Sequence, residues 1–150
     1  MKPILRRSGM FALFEFFLFA EASFAQPISV RFQHLSVEQG LSHNEAVSIT
    51  QDKYDLIWIG TSDGLNRFDG YKVEVYRHEP GNKNSLPNNL IRCVFTDSHG
   101  TVWIGTTNGL AYYDDHTNSF RSFFQVRNNE NSLPSNWISV INEDGHDDAS

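Results

Sequence analysis

Residues 56–70 read LIWIGTSDGLNRFDG, and residues 101–115 read TVWIGTTNGLAYYDD. The shared W-I-G-T-x-x-G-L sets Trp58 and Trp103 45 residues apart. Working outward, Leu41–Asp69 aligns without gaps onto Leu86–Asp114. Leu41/Leu86, Asn44/Asn89, Asp52/Asp97, Ile59/Ile104, Gly60/Gly105, Thr61/Thr106, Gly64/Gly109, Leu65/Leu110 and Asp69/Asp114 all match. A third copy begins downstream: Asn84-Ser85-Leu86-Pro87 returns as Asn131-Ser132-Leu133-Pro134, and Ile91, Val94 and Asp97 find Ile138, Ile141 and Asp144. That spacing is two residues longer. The extra pair is expected in the loop near His116–Ser119, where added length costs little.

Each copy carries four strand signals. In the second they are Ile91–Thr96, Thr101–Thr106, Leu110–Asp114 and Phe120–Phe124, β-branched and aromatic runs bounded by turn residues. The connections Asp97–Gly100, Thr107–Gly109 and Asp115–Ser119 are short, so neighbouring strands run antiparallel. No sustained helical period follows the first 25 residues. Four short strands per period of this length spell an all-β fold of propeller blades, each of four antiparallel strands, with about two complete blades present and the ring incomplete. Boundaries follow: a lead-in strand segment at 26–40, repeat 1 at 41–85, repeat 2 at 86–132 and the start of repeat 3 at 133–150.

The repeated stretch has a packing explanation. In a strand, Trp103 and Gly105 face one way and Ile104 and Thr106 the other. A blade is covered on both faces, so Trp supplies bulk while the glycine beside it leaves room for a neighbouring aromatic ring or backbone. Gly109 suits a turn with positive φ. Asp52, Asp97 and Asp144 sit at turns, where a carboxylate bonds backbone N–H groups.

Composition limits the function. The chain has 150 residues, a net charge of −6 and no basic stripe, which speaks against a nucleic-acid partner. The single Cys93 permits no internal disulfide and no cysteine metal cage. Residues 1–25 read as a secretory signal peptide: Lys2, Arg6 and Arg7, an apolar run Met10–Ala20 containing Glu15, then Ala22-Ser23-Phe24-Ala25 with a cut after Ala25. The run is too short for a membrane span of roughly 20 residues. Removing the leader takes away three basic and two acidic residues and moves the charge from −6 to −7. An exported chain meets oxidising conditions, so Cys93 is expected to be buried.

The six histidines, His34, His43, His78, His99, His116 and His146, show no metal-ligand spacing, and no Walker loop, G-x-S-x-G or H-E-x-x-H occurs. No catalytic, cofactor-binding or metal-binding residue is therefore nominated, and no cofactor is expected. Polar inter-blade loops, Arg77–Asn89 and Arg127–Asn136, are where a ligand would be sought, without a single binding residue being singled out.

The W-I-G-T-x-x-G-L-x-x-[FY]-D pattern resembles the regulator-propeller repeat of bacterial two-component sensors. Phe32-Gln33-His34-Leu35-Ser36-Val37-Glu38-Gln39-Gly40-Leu41-Ser42 is similar to the segment that opens the mature sensor in that family. Asp69-Gly70-Tyr71 and Asn84-Ser85-Leu86-Pro87 fit it as well. The resemblance spans roughly residues 30–144. It implies a periplasmic, non-catalytic, ligand-sensing propeller in a protein anchored in the inner membrane. There a small β-sandwich and a membrane helix lead to a histidine kinase, a hybrid regulator or a diguanylate cyclase. Glycans or other small periplasmic molecules are the implied ligands, and a homodimer the implied assembly.

Two departures stand out. The turn glycine Gly100 is Asp55 in the first copy and Asp147 in the third, a residue that tolerates the left-handed conformation at some cost. After Asp144 the pattern gives way to Gly145-His146-Asp147-Asp148-Ala149-Ser150. The chain thus reads as a truncated or frameshifted copy of a longer sensor, without a membrane helix in its mature part, able to bind but not to signal alone and marginally stable by itself. An exported binding scaffold is the alternative function, with a propeller lyase or glycosidase ranked behind it.

Overall fold

The computed structural model describes residues 34–144. These lie within the second of two units into which the chain divides, Gln33–Ser150. The expected signal peptide and its cleavage point, and Asp147, fall outside the described residues.

Eight strands follow one another: β1 (Ala46–Gln51), β2 (Ile57–Thr61), β3 (Gly64–Phe68), β4 (Val73–Tyr76), β5 (Ile91–Thr96), β6 (Val102–Thr106), β7 (Gly109–Asp114) and β8 (Ser119–Phe123). They form two four-stranded sheets, ordered β1-β2-β3-β4 and β5-β6-β7-β8. Every neighbouring pair is antiparallel. The strands expected in the second copy are present, with bounds shifted by one residue in β6, β7 and β8. The two extra residues sit where expected. The tight turn at Gly70-Tyr71, closed by Asp69 N–H to the Lys72 carbonyl at 3.4 Å, becomes the longer loop Asp115–Asn118.

The W-I-G-T threonines close the central hairpins. The Thr61 hydroxyl donates to the Gly64 carbonyl (2.9 Å) and accepts from Asp63 N–H (3.1 Å). Thr106 does the same with Gly109 and Asn108, at 2.8 and 3.0 Å. Both glycines open the returning strand at φ 125° and 127°, a conformation that a side chain would strain.

Alternation along the strands sets the packing. Trp58, Gly60, Leu65, Arg67 and Tyr76 share one face of the first sheet, as cross-strand register requires. On the second sheet Val94, Ile104 and Ala111 share a face. These two faces meet, and Trp58, Leu65, Ile91, Val94, Val102, Ile104, Ala111 and Phe120 make the core with Leu86. What approaches Gly60 is neither an aromatic ring nor backbone. A Cβ there would stand 2.5 Å from Ile91 Cγ2. At Gly105 it would stand 2.5 Å from Cys93 Sγ and 2.7 Å from Ile138 Cγ2. The glycine admits a β-branched aliphatic side chain from the following repeat, because β5 lies against β1 and β2 of the preceding blade.

Part of each outward face is apolar and exposed. Ile49 is 67% exposed, whereas Val94 at the same place in the second sheet is 7% exposed. On the far side Trp103 packs on Tyr112 and Phe123 with centroids 5.3 and 6.2 Å away, and Phe123 remains exposed. Cys93 is half-buried rather than buried, and burial raises its thiol pKa.

The lead-in segment, expected as a strand, is described from residue 34 onward. Its described part contains a 3-10 turn at Val37–Gln39, because Ser36 and Gln39 cap one another and Gly40 turns left-handed at φ 108°. It then covers part of the outer face of the first blade. Ser42 bonds Thr61 at 2.8 Å and the buried Asn66, whose Oδ1 accepts from Ser42 N–H at 2.8 Å. The opening of repeat 3 carries no ladder of its own. It docks as the second repeat does: Asn136 and Asn89 carbonyls accept from Gly109 and Gly64 N–H, at 2.7 and 2.8 Å.

Candidate functional site

The aspartates at the first turn of each blade do more than cap it. Asp52 Oδ1 accepts from Tyr54 and Leu56 N–H at 2.8 and 3.0 Å, and its Oδ2 accepts the Trp58 indole N–H at 2.7 Å. Asp97 repeats this with His99, Thr101 and Trp103, at 3.0, 2.8 and 2.8 Å. Burial by itself would raise the Asp97 pKa; these donors outweigh it and hold the carboxyl below its ordinary value. The turn and the Trp six residues on are thus clamped by one carboxylate.

A cleft of about 590 Å³ opens between the blades beside these turns. One wall is the β1–β2 loop with Lys53 and Tyr54; the other is Gly100, Thr101 and the end of β7 with the loop after it. Lys53 Nζ lies 3.1 Å from Asp115 Oδ2, which also accepts the Tyr54 hydroxyl at 2.9 Å. The Lys53 bond, then the Tyr54 bond, holds the Asp115 carboxyl below its ordinary pKa. Gly100 permits the approach, since a Cβ there would stand 2.7 Å from Lys53 Cδ. Its φ is 81°, and Asp55 takes the same left-handed place in the first repeat at φ 64°, so the substitution keeps the turn.

Arg67 forms the inner end of the cleft. Its guanidinium carbon lies 5.6, 5.6 and 5.5 Å from the ring centroids of Trp58, Tyr76 and Tyr113. It donates to the Tyr113 hydroxyl at 2.7 Å and pairs with Glu74. Tyr113 in turn donates to Asn118 at 2.6 Å. Burial, followed by the neighbouring Tyr113, raises the Tyr76 phenol pKa, so it stays neutral. The chemistry on offer is a fixed cation, stacked rings and ionised acceptors, which suits recognition and blade-to-blade fastening.

In the inter-blade loops the polar side chains are turned inward on the chain itself. Ser85 Oγ accepts from Glu79 N–H and donates to the Asn82 carbonyl, both at 2.9 Å. Ser132 does the same with Val126 and Asn129, at 2.9 and 2.8 Å. Asn89 and Asn136 each accept a backbone N–H, from His78 and Gln125, at 2.6 Å. The histidines are scattered: His43 accepts from Glu45 N–H, His78 bonds the Leu86 carbonyl, and His116 is a surface residue near Asp115. His146 lies outside the described residues. Among the described residues no group of three metal-ligating side chains converges, and no helix is long and apolar enough to cross a membrane.

The model of the two-component regulator propeller family matches residues 40–63 and 85–108. Both matched segments are similar to the regulator-propeller repeat. Each matched segment runs from the end of one connecting loop through the first two strands to the hairpin of a blade. A relative in Formosa agariphila, Histidine kinase P4, is 37% identical over 82 residues, which make up 55% of this chain and 6% of that protein. Two solved structures from B. thetaiotaomicron are similar in fold. The extracellular domain of BT3049, assigned to a hybrid two component system, is 37% identical with a TM-score of 0.64, over 69% of this chain and 15% of that one. The extracellular domain of BT4673, likewise assigned to a hybrid two component system, is 27% identical with a TM-score of 0.53, over 67% and 14%. The chain thus spans a small fraction of each relative's length.

Sequence reasoning missed the aromatic box around Arg67 and the carboxylate–indole clamp. Arg67 occupies the place of Tyr112 in the second repeat, and that departure was the available signal.

Proposed function

We propose that these repeats are the input, ligand-sensing end of an exported signalling protein whose output is a histidine kinase, a hybrid regulator or a diguanylate cyclase. The observation that carries the reading is the pair of matched repeats folded as adjoining blades, shared at 37% identity with an extracellular domain of a hybrid two component system. The blades bind and do not catalyse. A glycan or another small periplasmic molecule that fits one arrangement of the blades, in a homodimer, shifts the population toward that arrangement. The cation of Arg67 and the ring of Tyr113, both of which line the inter-blade cleft, supply contacts that such a ligand can use. Export depends on residues 1–25, with processing after Ala25, and an inner-membrane anchor holds the whole protein.

The test is made in the native host. Residues 34–144 are deleted in frame, and transcript induction is followed across a panel of glycans. Loss of the response to one glycan, with unchanged growth on glucose, is the expected result; an unaltered induction profile refutes the reading. The intact mass of the exported protein should begin at Gln26.

A further inference from the structure

Each sheet begins with a bulge in the same place. The pairing of β1 with β2 skips Val47, and that of β5 with β6 skips Arg92. A bulge leaves its residue out of the ladder and re-aims the side chain. β1 and β5 are edge strands of their sheets, so Val47 and Arg92 stand on one rim of the blades. The residue that leads into the next repeat stands there too, Leu90 after the first blade and Trp137 after the second. Trp137 is 56% exposed, and Leu90 is 44% exposed although its own sheet is complete. The exposure therefore belongs to the rim position.

Between the first and second repeats these positions hold an aliphatic pair, Val47 and Leu90. Between the second and third they hold Arg92 and Trp137, and the guanidinium carbon lies 5.6 Å from the indole ring centre. Two neighbouring positions have changed together from aliphatic to a cation and a large flat ring. Neither residue belongs to the core. Among the described residues the Arg92 guanidinium meets the indole and no carboxylate, which leaves its N–H edge open. Such an edge matches a carboxylate with two parallel hydrogen bonds. The open indole face matches a flat ring, by C–H or π contact. Acetate would satisfy one element, a neutral ring the other, and a ring bearing a carboxylate both.

We propose that Arg92 and Trp137 form a binding site on this rim for a small ring carboxylate. The site is separate from the inter-blade cleft and rests on no output domain, so binding can be measured whether or not the protein signals.

The test is ligand-observed NMR with the intact protein at constant ionic strength, using glucuronate and benzoate as probes and acetate and glucose as controls. At least one ring carboxylate should bind saturably, about tenfold more tightly than either control, the yield of one added contact of about 1.4 kcal/mol. Arg92→Val and Trp137→Leu, which install the residues of the preceding repeat, should each weaken that binding about tenfold or more. Arg92→Gln, which keeps the stem and loses the charge, should do likewise. Preference for glucuronate marks a sugar acid and preference for benzoate an aromatic acid; both support the site. Equal affinity for acetate or glucose, no saturable binding by either ring carboxylate, or binding unchanged in folded variants overturns it.

Discussion

Gly60 is the position where the packing can be tested most sharply. A methyl group built there stands 2.5 Å from Ile91 Cγ2, 3.2 Å from Ile91 Cβ and 3.5 Å from Val94 Cγ1. Apolar carbons rest at about 3.5–4.0 Å, so the first contact is roughly 1 Å too close. Ile91 is fully buried, and the strand that carries it is bound into the second sheet, so neither partner can retreat cheaply. Gly60→Ala should therefore cost about 1–3 kcal/mol, the range for an overpacked core. Ile91→Ala should cost about 2–5 kcal/mol through lost burial and the cavity it leaves. The two changes are complementary, because the new methyl enters the space vacated by Ile91. The double variant should be less destabilised than the sum by about 1 kcal/mol or more, a coupling of the size expected for touching side chains. Urea unfolding of the four proteins measures it through midpoint shifts at constant slope. Additivity within about 0.3–0.5 kcal/mol would show that the glycine is not there to admit Ile91.

Four further outcomes follow from the same geometry. Asp97→Ala should lower the urea midpoint by the equivalent of about 1–3 kcal/mol, since an indole and two backbone N–H groups lose their acceptor; Asp97→Asn should fall between it and the parent. The Asp97 carboxyl titrates lower in the folded state than its ordinary value, so its stabilisation is full at neutral pH and is lost as pH falls below about 4 and through that depressed value; the acid limb of a pH–stability profile should flatten in Asp97→Ala, and an unchanged limb would contradict the clamp. Gly100→Ala should destabilise by about 1–2 kcal/mol from its left-handed backbone, with the contact of the new methyl on Lys53 Cδ adding to it; Lys53→Ala in the same protein should recover only that added part, read as a rise in melting temperature. Residues 26–150 expressed alone should bind a hydrophobic dye and self-associate through the faces of Ile49 and Phe123; a monomer with a sharp, reversible melt and no dye binding would show those faces to be harmless.

The strands, the hairpins and the alternation of faces were legible in the sequence because each depends on residues close along the chain and is written twice. The partner of Gly60 was not, because Ile91 comes from the next repeat and single-strand reasoning sees only that space is left. The clamp from Asp52 to Trp58 escaped for a related reason: a turn reading satisfies the carboxylate with backbone N–H groups and leaves its second oxygen unassigned. Arg67 looks like any exposed strand cation until Tyr76 and Tyr113, from two different blades, are seen around it. In the inter-blade loops, richness in Asn and Ser drew attention as a sign of recognition. Ser85, Ser132, Asn89 and Asn136 instead show how loops of that length hold one shape.

The contact between blades is directional. The face of Trp58 and Gly60 receives Ile91 and Val94 of the following repeat, and Gly105 receives Ile138 in the same direction. Whole repeats can therefore be duplicated or lost by recombination between matching points, such as Asn44 and Asn89, with every new junction still joining unlike faces. An exchange of any other length sets a face against its own kind or shifts a strand by a residue. The unit of inheritance in such a gene is the blade with its polarity, and ring size can drift by whole steps while the joint between steps stays the same.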